Sequence, residues 1–178
     1  MEKRTLNGLN LTNEDYIFAG DLTIDGDVVI KNGHLIVSGH LVIRNSSQIS
    51  IDGDISAGKI TIFDCQSDSK LIEVNGDIFS ADFCCIDEDL ICNNFYAKGF
   101  SRCSNISCLN YLVDDDSDCY DINADESIYI LGDSDSHAFT TIDAFIGGKA
   151  LFYNHHINVS RALYIGNPDG CSSFNVGN

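Results

Sequence analysis

Residues 20–44 read GDLTID, GDVVIK, N, GHLIVS and GHLVIR, a six-residue unit repeated four times and interrupted by Asn32. Each unit holds a glycine, a polar residue and two aliphatic residues that are separated by one position. Side chains two residues apart point to the same face of a β-strand, and glycine tolerates the sharp bend between one strand and the next. A six-residue unit is too short for a helix and its connection, so the pattern predicts short strands that meet at corners.

Three such units, with an occasional extra residue, make a coil of roughly 18–20 residues, which is a typical length for a solenoid repeat. We therefore predict an all-β fold, a single-stranded parallel β-helix (β-solenoid) with three short strands per coil and capped ends. The alternative is an antiparallel sandwich, which would use Asn32-Gly33 and Asn75-Gly76 as hairpin turns. The presence of a single proline, Pro168, favours the solenoid, because its interior strands donate N–H groups to a neighbouring coil.

The chain of 178 residues predicts one domain. Because the sheet edges at the two ends of a solenoid aggregate unless they are covered, we expect an N-terminal cap at 1–18, the solenoid at 19–166 and a C-terminal cap or tail at 167–178. The apolar spacing at 138–148 fits a short amphipathic helix as well as a strand.

The eight cysteines are expected to be free thiols. The first residues contain no signal-peptide pattern, and nowhere do eighteen apolar residues run together, so we expect a cytoplasmic protein that does not enter a membrane. Thiols stay reduced in that compartment and behave as small apolar core residues. Cys65, Cys84 and Cys103 are nineteen residues apart, which predicts a column of residues stacked from coil to coil.

The sequence contains no pattern that predicts catalysis, a metal site or a cofactor. The cysteines and histidines lack zinc-ligand spacing, and no nucleophile elbow or phosphate loop occurs. The acidic run at 114–118 is similar to the start of a calcium loop, but Cys119 stands where such a loop needs glycine. We therefore expect a protein that is not an enzyme and that acts through its surface.

The charge distribution is strongly asymmetric. The chain has 27 acidic residues against 10 Lys and Arg, for a net charge of −17. Such a surface repels phosphate backbones, so we expect no direct nucleic-acid binding. Fourteen of the acids fall between Asp82 and Asp143, where Lys98 and Arg102 are the only Lys or Arg residues. A charged face that only keeps the protein soluble is a sufficient explanation, but self-repulsion of this size also favours a basic partner that would relieve it.

This asymmetry leads to the hypothesis of a non-catalytic module that binds and neutralises a basic protein. Electrostatic attraction would speed the encounter, and exposed aromatic residues, Phe95 and Phe100 among them, would anchor the contact. The expected state is a monomer or a small homo-oligomer. The residues predicted to contact the partner are Asp87, Glu88, Asp89, Asp114, Asp115, Asp116, Asp118, Asp121, Asp125, Glu126, Asp133, Asp135, Tyr96, Tyr111 and Tyr120.

The hexads at 20–44, and in part those at 53–80, resemble the repeats of bactofilins, which are polymer-forming cytoskeletal β-solenoids. That resemblance implies a β-helix that stacks end to end and gives the alternative function, a structural scaffold. The irregular second half of the chain and the expected caps argue against a filament. In charge, the chain is similar to acidic immunity proteins, including those of contact-dependent inhibition systems, which implies a nuclease toxin as the basic partner. Hexapeptide acyltransferases place glycine in a different register of the hexad, so the resemblance does not extend to them.

Overall fold

The computed structural model of the chain describes residues 2–63, 71–166 and 175–176. It confirms the predicted all-β parallel solenoid: within these ranges, eighteen strands form one continuous sheet, and every pairing between them is parallel. Parallel pairing excludes the antiparallel sandwich that the Asn-Gly pairs allowed. The described ranges contain no helix, and therefore none that could span a membrane.

The first coils are built from short strands that stack on their equivalents one coil away, whereas the later coils are each one long, bent strand. Successive coils therefore stack along three sides, which begin in the first coil at Glu2–Leu6 (face 1), Leu9–Thr12 (face 2) and Tyr16–Phe18 (face 3). The strands of the first five coils are β1 (Glu2–Leu6), β2 (Leu9–Thr12), β3 (Tyr16–Phe18), β4 (Gly20–Asp25), β5 (Val28–Lys31), β6 (Leu35–Arg44), β7 (Ile49–Ile51), β8 (Ile55–Phe63), β9 (Leu71–Val74), β10 (Ile78–Ser80), β11 (Cys84–Ile86), β12 (Asp89–Ile91) and β13 (Asn94–Ala97). The remaining strands are β14 (Ser101–Val113), β15 (Ser117–Ile130), β16 (Ser134–Ile146), β17 (Ala150–Ile165) and β18 (Asn175–Val176).

Alternation along each strand produces the core. On face 1, for example, Leu22, Leu41 and Ile60 stand in one column, and all three are fully buried. Asn32, which interrupts the hexads, occupies a corner with a φ of 54°, a left-handed conformation that asparagine tolerates. Its side-chain amide donates to Asn13 Oδ1 in the preceding coil at 3.0 Å. The extra residue Asn32 therefore forms a corner and links two coils through its side-chain hydrogen bond.

Coil length differs between the two halves of the chain. Leu22 pairs with Leu41 and Leu41 with Ile60, so these coils are nineteen residues long. Ser101 pairs with Ser117 and Ser117 with Ser134, which are coils of sixteen and seventeen residues. These two coils fall below the predicted length because their corners have fewer residues, whereas Ala144 and Leu163, which pair in the last coils, are again nineteen residues apart.

This change makes the predicted cysteine column wrong. Cys84 pairs with Ser101, seventeen residues away, so Cys103 lies two positions further along the strand, where it pairs with Ile86 and Cys119. Cys84 and Cys103 still point into the same core, and both are buried. Cys65 lies outside the described residues.

The segment at 138–148, which the sequence leaves open between helix and strand, is a strand as far as Ile146, and the N-terminal end is a regular coil. Residues 138–146 belong to β16, in which Phe139 and Thr141 point inward and Thr140 outward. The N-terminal residues predicted as a cap form β1, β2 and β3, a first coil that pairs with β4, β5 and β6. Of the predicted C-terminal cap, only β18 lies within the described part of the chain.

Candidate partner-binding surface

The outward column of face 1 is charged in the later coils. Outward positions of neighbouring coils stand in register, and here they bring together Cys85, Arg102, Asp118 and Asp135. The Arg102 Nε atom lies 4.0 Å from Asp118 Oδ2. Because adjacent parallel strands are about 4.8 Å apart, Asp118 and Asp135 place two carboxylates on neighbouring rungs of one flat face.

A groove of about 450 Å³ runs along the corner between face 1 and face 2. The rings of Tyr120 and His137 stack within it, with centroids 4.0 Å apart and planes 25° apart. Tyr120 remains 50% exposed. This tyrosine lies where the sequence-based hypothesis needs it, beside acidic side chains. The side chains that line the groove are Asp87, Arg102, Cys103, Ser104, Asp118, Cys119, Tyr120, Asp135 and His137.

A second groove of about 310 Å³ lies along the other edge of face 1, at the corner between face 3 and face 1. Asp118 and Asp135 line this groove as well as the first one. The two grooves thus form one continuous surface, which we call the acidic face and define as Asp87, Asp116, Asp118, Asp133 and Asp135. The side chains that line the second groove are Phe100, Asp116, Ser117, Asp118, Asp133, Ser134, Asp135 and Lys149.

Two members of the acidic face also hold the coils together. Asp116 Oδ1 accepts a hydrogen bond from the Asp133 backbone N–H at 2.7 Å, and Asp133 Oδ1 accepts one from the Lys149 backbone N–H at 2.7 Å. The same arrangement occurs earlier in the chain, where Asp21 accepts from the His40 backbone N–H. Part of the acidic composition is therefore a requirement of the corners, and charge alone did not distinguish those aspartates from Asp118 and Asp135.

The other predicted acids do not belong to this surface. Glu126 lies at the corner between face 2 and face 3, where its carboxylate accepts from Asn110 at 3.1 Å, and Asp125 is its neighbour. Asp89 is half-buried and accepts from Asn105 at 2.8 Å. Glu88 is only 6% exposed. Asp121 is half-buried at the corner between face 1 and face 2, and Asp114 and Asp115 are exposed at the corner between face 3 and face 1. The predicted acidic residues are therefore distributed over all three corners of the solenoid.

The expectation that Tyr111 and Phe95 are exposed anchors is wrong, because both are fully buried. Tyr111 stands at an inward position of β14, and its hydroxyl reaches across the coil to Ser101 at 3.0 Å and Ser117 at 2.9 Å. Face 1 carries small inward side chains at these coils, which leaves room for the ring. The Phe95 ring stacks on it with centroids 5.1 Å apart. Phe100 and Tyr96 are partly buried at the surface.

The thiols near the acidic face are poor nucleophiles. Burial, together with the charge of Asp87, raises the pKa of the outward Cys85 to about 11. Burial also raises the pKa of Cys119 well above its usual range. Thiols with such values stay protonated at neutral pH, and the thiolate is the reactive form. No group of three or more His, Cys, Asp or Glu side chains suited to a metal ion occurs among residues 2–63, 71–166 and 175–176.

A second surface escaped the sequence analysis. The outward column of face 3 is apolar over six successive coils, with two exposed tyrosines, Tyr129 and Tyr164, at 38% and 58%. The signal was present as the middle residue of each face 3 triplet, but a period of sixteen to nineteen residues is needed to align the triplets. The column, which we call the aromatic ladder, consists of Phe79, Tyr96, Leu112, Tyr129, Phe145 and Tyr164.

The fold makes this chain a repeat protein of the β-solenoid class, with an acidic surface on one face and an aromatic ladder on another. Comparison with protein-family models, with curated proteins and with solved structures finds no significant match. The bactofilin and immunity-protein resemblances therefore depend on repeat style and charge alone.

Proposed function

We propose that the protein is a non-catalytic binding module whose acidic face binds and neutralises a basic protein, such as a nuclease toxin. The observation that supports this function best is that Asp118 and Asp135 line both grooves. Like charges directly opposite each other on neighbouring strands are destabilising. A fold that keeps them there retains an unfavourable energy that a cationic partner would remove.

The composition of the grooves favours arginine or lysine side chains of the partner. Paired carboxylates match the two N–H edges of a guanidinium. The exposed Tyr120 ring, held by its stack on His137, offers a rigid apolar contact beside them, and tyrosine is frequent among the residues that dominate binding energy. Arg102 and Lys149 are the cations that line the grooves, and Arg102 reduces the repulsion near Asp118 without balancing the whole surface.

Occlusion of the partner's cationic site is the mechanism that this surface allows. Acidic side chains would occupy the positions that the partner uses for phosphate, so no bond would form or break in the inhibitor. The high pKa values of Cys85 and Cys119 agree with a role that needs no thiolate. Long-range attraction would raise the association rate, and salt would reduce it.

The test is the capture of basic proteins from the native host, followed by binding kinetics with the purified partner at increasing ionic strength. The informative variant is Asp118→Asn/Asp135→Asn, and Asp125→Asn/Glu126→Gln is the control with the same charge change at another corner. We expect the first variant to slow association by about tenfold and to flatten the salt dependence, while the control remains close to wild type. Equal effects of the two variants, or association that is insensitive to salt, would reject the acidic face as the binding surface.

The alternative function, a bactofilin-like scaffold, requires apolar ends that stack. In β1 the inward positions paired with Gly20 and Leu22 are occupied by Glu2 and Arg4. Inward-pointing charges on an edge strand are a known protection against edge-to-edge association. This observation favours the binding module over the filament, and sedimentation of the wild-type chain over a range of concentrations tests the choice directly.

A further inference from the structure

The aromatic ladder is not a requirement of the solenoid. On face 2, the outward column at the same six coils is polar except at Ile91, and it consists of Glu73, Ile91, Ser107, Asn123, Thr140 and Asn158. Both columns are outward positions of parallel strands and differ only in side-chain chemistry. Packing of the core therefore does not explain why face 3 carries apolar side chains at each rung from Phe79 to Tyr164.

Stacking between the rings explains only part of the ladder. Tyr129 and Phe145 have ring centroids 4.7 Å apart, and Phe145 and Tyr164 4.9 Å, with planes 14° and 6° apart. Rings stacked along the solenoid axis cover one another's faces and leave their edges toward solvent. Six rungs at about 4.8 Å give an apolar strip about 24 Å long, in which Tyr129 and Tyr164 are exposed and the other four side chains are partly buried. A contiguous apolar strip at a protein surface is typical of an interaction site.

The strip has acidic margins in its middle coils, whereas Lys149 and Arg161 are exposed at the same corners in the last coils. Asp114 and Asp115 are exposed at the corner between face 3 and face 1, and Glu126 is exposed at the corner between face 2 and face 3. A second copy of the chain laid on the same face would bring acidic margins together, so charge disfavours self-association. The ladder already receives one cation from within the chain, since Lys98 Nζ lies 5.8 Å from the centroid of the Phe79 ring.

We propose that the aromatic ladder is a second docking surface, which binds an amphipathic helix of a partner with an apolar stripe bordered by Lys and Arg. Apolar side chains recur about every 3.5 residues along such a helix, a spacing of about 5.3 Å that is close to the spacing of the rungs. A helix of about 16 residues matches the length of the strip. Its cationic side chains face the acidic margins. The ladder lies on a different face from Asp118 and Asp135, so this proposal does not depend on the proposed function.

The absence of tryptophan from the chain makes a direct test possible. Tyr129→Trp places one fluorescent reporter in the ladder, and Thr140→Trp places the control reporter on face 2. The probe is a synthetic 18-residue peptide of Leu and Lys with one apolar stripe, about the length that the strip admits. Two comparison peptides have the same residues in scrambled order, or Glu in place of Lys.

We expect the Leu–Lys helix to shift the Tyr129→Trp emission to shorter wavelength with saturation, and to leave Thr140→Trp unchanged. Binding of the two comparison peptides should be at least about tenfold weaker. Adding Tyr164→Lys should weaken binding by about tenfold, whereas Tyr164→Phe and Asp118→Asn/Asp135→Asn should not. Because Tyr164 is 58% exposed, the lysine variant is expected to fold, which its circular dichroism verifies.

Four results would overturn the proposal. Equal binding of the scrambled peptide would show nonspecific attraction to acidic protein. A shift that depends on protein concentration without peptide would make a second copy the occupant. No shift with any peptide, in a reporter variant that retains its fold, would show that the ladder has only a structural role. Loss of binding in Asp118→Asn/Asp135→Asn alone would instead place the peptide on the acidic face.

Discussion

The hydroxyl of Tyr111 ends inside the solenoid, among Ser101, Ser117 and Cys119, at distances of 2.9–3.0 Å. A buried polar group without a partner is costly, so these side chains satisfy one another. Burial raises the pKa of the Tyr111 hydroxyl well above its usual range, so it remains a donor at neutral pH. The small residues on face 1 and the large ring from face 3 together fill one layer of the core.

Removal of that hydroxyl should destabilise the protein. In Tyr111→Phe, the Ser101 and Ser117 hydroxyls lose a buried partner, and we expect the free energy of unfolding to fall by about 1–3 kcal/mol. Tyr129→Phe is the control, because its hydroxyl belongs to an exposed ring, and we expect a change within about 0.5 kcal/mol. Urea unfolding measures both variants. Equal stability of the two would show that the buried network contributes nothing.

His40 should make stability depend on pH. Burial lowers the pKa of His40 below its ordinary value of 6.5, with Asp21 acting in the opposite direction and Lys59 in the same direction. His40 then binds a proton less readily in the folded protein than in the unfolded chain. Its contribution to the free energy of unfolding is therefore fully present above pH 6.5 and is lost as the pH falls below that value. His40→Gln keeps a polar partner for Thr61, which lies 2.8 Å from His40 Nε2.

The measurement is the free energy of unfolding of wild type and His40→Gln between about pH 7.5 and about pH 5.5. We expect the wild type to lose more stability over this interval than the variant. The comparison cancels other groups that titrate in the same range. Parallel curves for the two proteins would show that His40 does not carry this pH dependence.

At the scale of one coil, the corners decide where charge and glycine are required. A Cβ atom on Gly33 would overlap the Glu14 carbonyl oxygen of the coil below, so that corner admits only glycine. Aspartates at other corners accept the backbone N–H of the next coil, as Asp116 does for Asp133. The acidic composition thus contains a structural class and a surface class of aspartate.

The two classes should respond differently to the same substitution. Asp116→Ala removes the acceptor of the Asp133 N–H and should reduce the free energy of unfolding by about 1 kcal/mol, as the loss of a helix N-cap does. Asp116→Asn keeps an acceptor and should recover most of it. Asp118→Ala removes one of two neighbouring carboxylates and should be neutral or slightly stabilising. A larger loss in Asp118→Ala than in Asp116→Ala would contradict this division of roles.

The hexads were sufficient to predict the coils because stacking requires the same side-chain type at the same position of each turn. The pattern fixed three strands per coil and the inward aliphatic residues such as Leu22 and Ile24. It did not predict how coil length varies in the second half, where some corners shorten and others lengthen, and an interval of nineteen residues then misaligned Cys84 with Cys103. Tyr111 was misplaced for the same reason: inward and outward positions cannot be assigned until the register of the coil is known.

At the scale of the molecule, the three faces have different chemistry although they share one backbone geometry. In the later coils face 1 is acidic, face 2 is polar and face 3 is apolar. A parallel solenoid permits this because each face repeats one strand position, so substitutions at one position in every coil change a whole face. The repeat therefore allows one small domain to carry both of the proposed binding surfaces.

The first coil should determine whether two copies of the chain associate end to end. Its strands β1, β2 and β3 each pair with the second coil, and among the described residues they have no partner on the other side. Glu2 and Arg4 occupy the column that continues as Gly20 and Leu22, so a second copy stacked on this end would bury two charges. The desolvation of unpaired charges is unfavourable, which should keep the wild-type chain from stacking through β1.

Replacing those charges should therefore allow association through this end. In Glu2→Val/Arg4→Leu, the inward column becomes apolar up to the edge, and we expect sedimentation to show a concentration-dependent species of about twice the mass, as a closed twofold pair requires. Lys3→Leu/Thr5→Leu is the matched control, because it adds apolar side chains at outward positions of the same strand and should remain like wild type. Association of both variants would indicate that any added apolar side chain on β1 causes nonspecific association. Association of the wild type itself would instead favour the scaffold function, since the inward charges would then have failed to protect the edge.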